Sequence, residues 1–263
     1  MKCADLNERL NSIFNQYHKA EYLRTDPLQC VYPFKADKDR EISGLVAALM
    51  AYGRVEIIIR NLNVLFQCTG PDIVDFTLNT TYSKKLKVFK GFKHRFNDHT
   101  DISILFQSIA EIIEKYGSIE ALFVEAGQVP VVDALNQFSS KMKALGEKIG
   151  KESRKSFQYL FPSPSSGSAC KRLNMYLRWM VRPKDSIDLG IWRKVSPSVL
   201  IIPVDTHIAQ IARNLKLTSR KNADWKMAEE ITASLRKFDP FDPVKYDFSL
   251  CRAGMISVRK DAA

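Results

Sequence analysis

Apolar residues recur at three- and four-residue steps along most of the chain, the spacing of a helix that buries one face. Leu6, Leu10, Ile13, Phe14 and Tyr17 form one such stripe near the start. The same period predicts helices over 41–52, 56–67, 102–116, 131–149, 171–181, 206–215, 223–238 and 244–256. Strand patterns are scarce. The best β-branched run, 199–204, contains Pro203 and follows Pro197, which suits an extended connector better than a hydrogen-bonded ladder. The predicted fold class is therefore all-α. Asp242 before Pro243 predicts a capped helix start with proline in its first turn, and Thr100 predicts a cap for the helix at 102. No internal repeat is visible, and the Pro/Ser/Gly stretch 161–168, FPSPSSGS, marks a seam.

With 263 residues, 45% hydrophobic and 26% charged, the chain has the make-up of a folded domain and not of a disordered or fibrous one. Its longest apolar stretch, around 45–52, is far short of the roughly 20 residues a membrane span needs. The segment 1–14 mixes Lys2, Asp5, Glu8 and Arg9 with apolar residues, so no secretory leader is read there and a cytoplasmic, nucleoid-associated location is expected. Five cysteines, Cys3, Cys30, Cys68, Cys170 and Cys251, lie far apart without a CxxC pair and read as reduced, mostly buried thiols. The four histidines, His18, His94, His99 and His207, are equally dispersed, so neither a metal site nor a cofactor is expected.

Forty basic against 29 acidic residues leave a net charge of +11, which favours a polyanionic partner. The excess is uneven: Lys84, Lys85, Lys87, Lys90, Lys93 and Arg95 crowd one stretch, interleaved with Phe89, Phe92, His94 and Phe96. Such a segment suits tracking phosphates while stacking bases, and equally suits a solvated connector anchored by buried phenylalanines.

The most informative region runs from 167 to 211. It contains GSACKRLNMYLRWM and, after a linker, IIPVDTHIAQIARNL. Asp205 in PVDTHI, followed by Arg213 in a short amphipathic helix, resembles the aspartate signature of the helix-hairpin-helix DNA glycosylases. In that endonuclease III-like superfamily Lys171 occupies the position of the nucleophilic lysine. The 34-residue interval from Lys171 to Asp205 is similar to that of the archaeal 8-oxoguanine branch and its uncharacterised bacterial relatives. The resemblance covers 167 to about 254, and earlier helices only by general pattern. It implies two helical lobes with a DNA-binding cleft between them, residues 1–40 with 200–263 forming the first and 41–199 the second, which carries the Lys171 helix. It also implies a bifunctional glycosylase and AP lyase of base-excision repair that removes a damaged purine such as 8-oxoguanine, acting as a monomer on damaged DNA, with no membrane partner.

The chemistry is consistent with that carry-over. Cleaving an N-glycosidic bond requires a nucleophile at the sugar C1′ and a carboxylate to balance the positive charge that develops there. An amine nucleophile also allows a Schiff base and strand scission by β-elimination. At an ordinary lysine pKa of about 10.4, only roughly one molecule in two thousand is neutral at pH 7. Burial, the neighbouring Arg172 and the helix N-terminus are therefore expected to depress the pKa of Lys171. Without such a role, Asp205 reads as a helix N-cap and Lys171 as a surface charge. The two readings of Asp205 are compatible.

Further positions follow from the resemblance. Asp247 in KYDFSL matches a pocket carboxylate that would accept hydrogen bonds from a flipped purine, although a satisfied polar residue between helices is an equal reading. Met175 and Cys251 match two base-sandwiching aromatics, which here offer sulfur in place of a ring. The glycine-rich hairpin of the superfamily is replaced by 161–168, so Ser166, Gly167, Ser168 and the first turn at Lys171 would supply phosphate donors. Arg54, following Tyr52 and Gly53, matches the place where relatives fill the gap left by the extruded base, and ordinarily would be a helix-terminal charge. Lys93, His94, Arg95, Arg172 and His207 complete the DNA-contact candidates, although His94 in FKHRF reads better as a structural histidine. The alternative is a non-catalytic binder of damaged or distorted nucleic acid on the same scaffold. A helical module that binds acidic proteins is a third reading.

Overall fold

The computed structural model describes residues 3–125 and 130–261, with side-chain surroundings for all of these except Cys3 and 257–261. Met1 and Lys2, part of the segment read for a leader, lie outside the described residues, as does the side chain of Cys3. Among the described residues thirteen α-helices follow one another. They are α1 (Cys3–Tyr17), α2 (Asp37–Leu49), α3 (Val55–Thr69), α4 (Ile73–Asn79), α5 (Tyr82–Val88), α6 (His99–Tyr116), α7 (Ile119–Phe123), α8 (Val131–Gly150), α9 (Lys155–Leu160), α10 (Lys171–Val181), α11 (Thr206–Asn214), α12 (Trp225–Arg236) and α13 (Asp247–Asp261). One antiparallel hairpin, β1 (Lys93–His94) and β2 (Asn97–Asp98), joins α5 to α6. The chain is thus mostly α-helical. The helices that its periodicity does not reveal, α4, α5, α7 and α9, have only five to seven residues, too few to display a repeating stripe.

Two compact units emerge, Met1–Arg24 with Ser163–Ala263, and Thr25–Pro162. The second division falls inside the FPSPSSGS stretch. The Lys171 helix belongs to the unit containing α1 and α11–α13, a correction to its expected place with 41–199. The reason is the burial of α10: every residue from Arg172 to Val181 is enclosed. The segment after it folds straight back, with the amide of Leu189 bonded to the Trp179 carbonyl at 2.9 Å and that of Trp192 to the Met180 carbonyl at 2.8 Å.

Within the Thr25–Pro162 unit, α6 is the central element and packs against α4, α5, α7 and α8. Its start is capped by Asp98, whose side chain accepts from the amides of Thr100 and Asp101, while Asp101 returns a bond to the Asp98 amide. Asp98 therefore holds the capping role expected of Thr100. The helix ends at Gly117 in the left-handed conformation, φ +85°. Phe76, Phe89 and Phe106 pack with ring centroids 5.2–5.6 Å apart. Phe89 thus anchors the basic stretch in the core, and Lys85 goes with it, fully buried and donating to the Thr77 carbonyl at 2.7 Å and Gln107 Oε1 at 2.9 Å. That stretch is therefore part helix and part hairpin.

Within the other unit, α13 packs on α1 and α11. Tyr246 donates to Asn11 Oδ1 at 2.9 Å, and a Cβ at Gly254 would stand 3.3 Å from the His207 carbonyl oxygen, so α11 and α13 meet closely there. Helix α13 starts at Asp247, later than expected. Asp242 does not cap it, because its carboxylate is taken by Arg182 Nε at 2.9 Å.

Candidate functional site

Asp205 ends the extended run after Leu200 and caps α11, its Oδ1 accepting from the Ile208 amide at 2.9 Å. Its other oxygen, Oδ2, lies 2.9 Å from Lys171 Nζ, the first residue of α10. The cap and the ion pair thus use different oxygens of one carboxylate. The pair is not sealed: the Lys171 side chain is 37% exposed and that of Asp205 17%. The residue before Lys171, Cys170, takes the left-handed conformation with φ +48°, and its amide donates to Ser168 Oγ at 3.2 Å.

The charge state of Lys171 differs from expectation. Burial pulls its pKa down, but the Asp205 carboxylate, with smaller contributions from Cys251 and Asp247, outweighs burial and holds it above the ordinary lysine value. Asp205 is shifted in the complementary sense. Burial raises it, while the Lys171 charge and the Ile208 amide prevail and keep the carboxyl below its usual range. A close opposite charge has beaten desolvation, so the resting pair is ammonium and carboxylate.

Asp247 and Cys251, one turn apart on α13, belong to the same electrostatic neighbourhood. Asp247 is buried, and its Oδ2 bonds to Arg178 Nη1. Burial pushes the Asp247 carboxyl up to about 6 against the pull of Arg178. Burial likewise pushes the half-buried Cys251 thiol up to about 12, aided by Asp205 and Asp247. Met175 is buried. Of the three expected base-pocket residues, Asp247 already spends an oxygen within the protein, the satisfied-polar reading of that position.

Sequence reading missed what lies behind these groups. Lys171, Met175, Arg178 and Arg182 are spaced to share one face of α10 and its C-cap. Arg178 Nε meets Asp188 Oδ1 at 3.1 Å, and Arg182 pairs with Asp188, with Asp185 at 3.3 Å and with Asp242. His18 Nε2 is 2.8 Å from Asp185 Oδ2. Arg178 and Arg182, four residues apart and flanking the apolar run Trp179–Val181, were the available signal, since buried guanidinium groups need carboxylate partners.

The remaining candidates separate by exposure. Ser166 and Gly167 are exposed and Ser168 half-buried, but the Ser166 hydroxyl donates to the Ser163 carbonyl at 2.7 Å and Ser168 is engaged by Cys170. Arg172 is buried, which corrects its reading as a phosphate contact. His207 is half-buried on α11. Arg54, Lys93 and Arg95, in the Thr25–Pro162 unit, are exposed. His94 in that unit is fully buried, Nδ1 at 2.9 Å from Asn61 Nδ2 and Nε2 at 3.1 Å from the Tyr52 carbonyl. Both ring nitrogens are occupied, so His94 is structural and not a DNA contact. Among the described thiols, Cys30 and Cys170 are buried and Cys68 exposed, and none of them is joined in a disulfide. Among the described residues no group of three or more His, Cys, Asp or Glu is placed to hold a metal ion, and no helix is long and apolar enough to cross a membrane.

A family model described as "Protein of unknown function (DUF2400)" matches residues 26–256. No curated protein and no solved structure matches the chain.

Proposed function

We propose that this chain, which belongs to the DUF2400 family, is a DNA glycosylase with AP lyase activity that removes a damaged purine such as 8-oxoguanine. The observation that carries the reading is the 2.9 Å approach of Lys171 Nζ to Asp205 Oδ2. An amine and a carboxylate from distant segments, partly open to solvent, are what nucleophilic displacement at an anomeric carbon requires. The resemblance to helix-hairpin-helix glycosylases, with its cleft architecture, belongs to the same proposal.

In this reading Lys171 first loses a proton, because only the neutral amine carries a lone pair. The Asp205 carboxylate beside it is the immediate acceptor, and a flipped nucleotide entering between them weakens the ion pair that keeps the amine charged. The amine attacks C1′, the C1′–N bond breaks, and its electron pair leaves with the base, which takes up a proton. Loss of a proton from the new C–N nitrogen, with opening of the sugar ring onto a protonated O4′, yields the Schiff base. Removal of a C2′ proton then expels the 3′ phosphate by β-elimination. Asp205 passes the proton it took from Lys171 to the departing base, and the carboxylate so regenerated balances the positive charge at C1′ while Oδ1 stays on the Ile208 amide.

Borohydride reduction in the presence of 8-oxoguanine-containing duplex tests this directly. The wild-type chain should form a covalent adduct with the DNA, and Lys171→Gln should not, at unchanged helical content by circular dichroism. Adduct formation that survives the substitution rules out Lys171 as the nucleophile.

The raised pKa of Lys171 favours a second reading, a binder of distorted DNA in which the Lys171–Asp205 pair is only structural. Salt-sensitive binding without base release from any lesion would select it.

A further inference from the structure

In the Thr25–Pro162 unit a group of rings stands open among cations. Phe96, at the apex of the β1–β2 hairpin, is 48% exposed, and Tyr159 on α9 is 46% exposed. Their centroids lie 4.5 Å apart, edge to face. Tyr52 backs both, stacked on Phe96 at 5.4 Å with planes 23° apart and meeting Tyr159 edge-on at 5.3 Å.

The rings are fixed from beneath. The Tyr52 hydroxyl bonds to Asn97 Oδ1 and lies 3.2 Å from the His94 carbonyl, and the buried His94 ring returns to the Tyr52 carbonyl. Asn97 Nδ2 donates to Asp101 Oδ2 at 3.0 Å and to the Ser156 carbonyl at 2.8 Å, tying the hairpin to α6 and α9. Arg95 adopts φ +55° at the apex, and its stem lies over Gly53, where a Cβ would stand 3.1 Å from Arg95 Cδ. Lys93 and Arg95 lie on the same hairpin as Phe96, Arg54 follows Gly53 and Lys155 opens α9, and all four are exposed. Among the described residues Lys93 and Arg95 form no ion pair, and Arg54 meets Glu56 only at 3.9 Å.

Large rings braced from beneath and open to water, with exposed cations on the same elements, offer a π face to an unpaired base and charge to the phosphates beside it. Rigidity matters because the ordering cost of stacking is met before the ligand arrives. We propose that Phe96 and Tyr159 form a stacking platform for unpaired bases of a DNA strand, with Lys93, Arg95 and Arg54 on the flanking phosphates. This surface lies wholly within one unit and does not depend on the Lys171 reading.

The test is fluorescence anisotropy of a dye-labelled oligothymidylate with the full chain. Phe96→Ala combined with Tyr159→Ala should weaken binding by about tenfold or more, the scale of losing base–aromatic stacking, with little change in melting temperature because both rings are exposed. Phe96→Trp should restore binding and report it, its indole emission falling as oligonucleotide is added. Phe241→Ala, which removes an exposed ring from the other unit, should bind as the wild type does, and base excision is read separately by borohydride trapping, so failure of excision and failure of the platform are distinguished. Affinity unchanged after loss of both rings overturns the proposal, because cations alone then hold the strand. Loss of both rings that weakens binding of a matched duplex as much as binding of the single strand overturns it too, because paired bases offer no free face.

Discussion

Asp205 divides its two carboxylate oxygens between its own helix and Lys171, Oδ1 on the Ile208 amide at 2.9 Å and Oδ2 on the lysine Nζ at 2.9 Å. One side chain thereby fixes the start of α11 and meets the start of α10. The cap holds the carboxylate in place whether or not the lysine is charged.

Two substitutions separate these duties. Asp205→Asn keeps a capping oxygen and removes the charge, whereas Asp205→Ala removes both. Urea unfolding should find the alanine variant less stable than the asparagine variant by about 1 kcal/mol, the usual worth of an N-cap. Equal stabilities would show that the Ile208 bond contributes nothing.

Arg178 joins Asp188 to Asp247 inside the protein. Arg178→Met leaves buried Asp247 without its arginine and Asp188 with Arg182 alone, and should destabilise the fold by about 3–5 kcal/mol. The midpoint of urea unfolding measures it, and a loss under about 1 kcal/mol would mean that the carboxylates are satisfied elsewhere.

Asp247 gives stability a pH dependence of definite sign. Its carboxyl is pushed up to about 6 in the folded protein, while in the unfolded chain it titrates near 3.9, by the roughly ordinary value. Between those values the folded state holds a proton that the unfolded state has lost. Its contribution is fully present below about 4 and is lost as pH rises through about 6. Asp247→Asn should remove this component, seen as a smaller difference between stabilities measured at acidic and neutral pH.

Lys85 acts in the opposite range. Burial lowers its pKa to about 8, against an unfolded value of about 10.4, so the folded state sheds the proton first. Stability from this residue is fully present above about 10.4 and is lost as pH falls through about 8. Thermal melts from pH 7 to pH 10 should show a rise in relative stability with pH that Lys85→Met lacks.

Gly190 holds the segment carrying Asp185 and Asp188 against the end of α10. It sits at φ +57°, and a Cβ there would come within 2.4 Å of the Lys184 amide nitrogen. Gly190→Ala should cost about 1–3 kcal/mol, as strained left-handed residues do. A melting temperature equal to that of the wild type would refute the close approach.

Much of this protein was legible before any coordinates. Leu10, Ile42, Ile109, Leu135 and Ile231 each lie in a helix that the periodicity predicts, and all are buried. Burial of one face is the force that fixes a long helix, so pattern and structure coincide there. The seam at 161–168 was visible because proline and glycine act through local backbone geometry. Asp205 was legible as a cap for the same reason. Asp242 misled, since a carboxylate before proline looks the same whether it caps a helix or binds Arg182.

What the sequence determined by itself was therefore local: helical period, the Asp205 cap, the seam at 161–168 and a positive balance of charge. Tertiary structure decided which charges meet. Lys171 was expected to have a depressed pKa because burial acts on any lysine, and it has a raised one because Asp205, 34 residues away, lies 2.9 Å from it. His94, which reads as structural, and Arg172, a candidate phosphate contact, are both buried. Periodicity tells which face is hidden, but the energy of a charge depends on the few ångströms around it, and folding alone sets those distances.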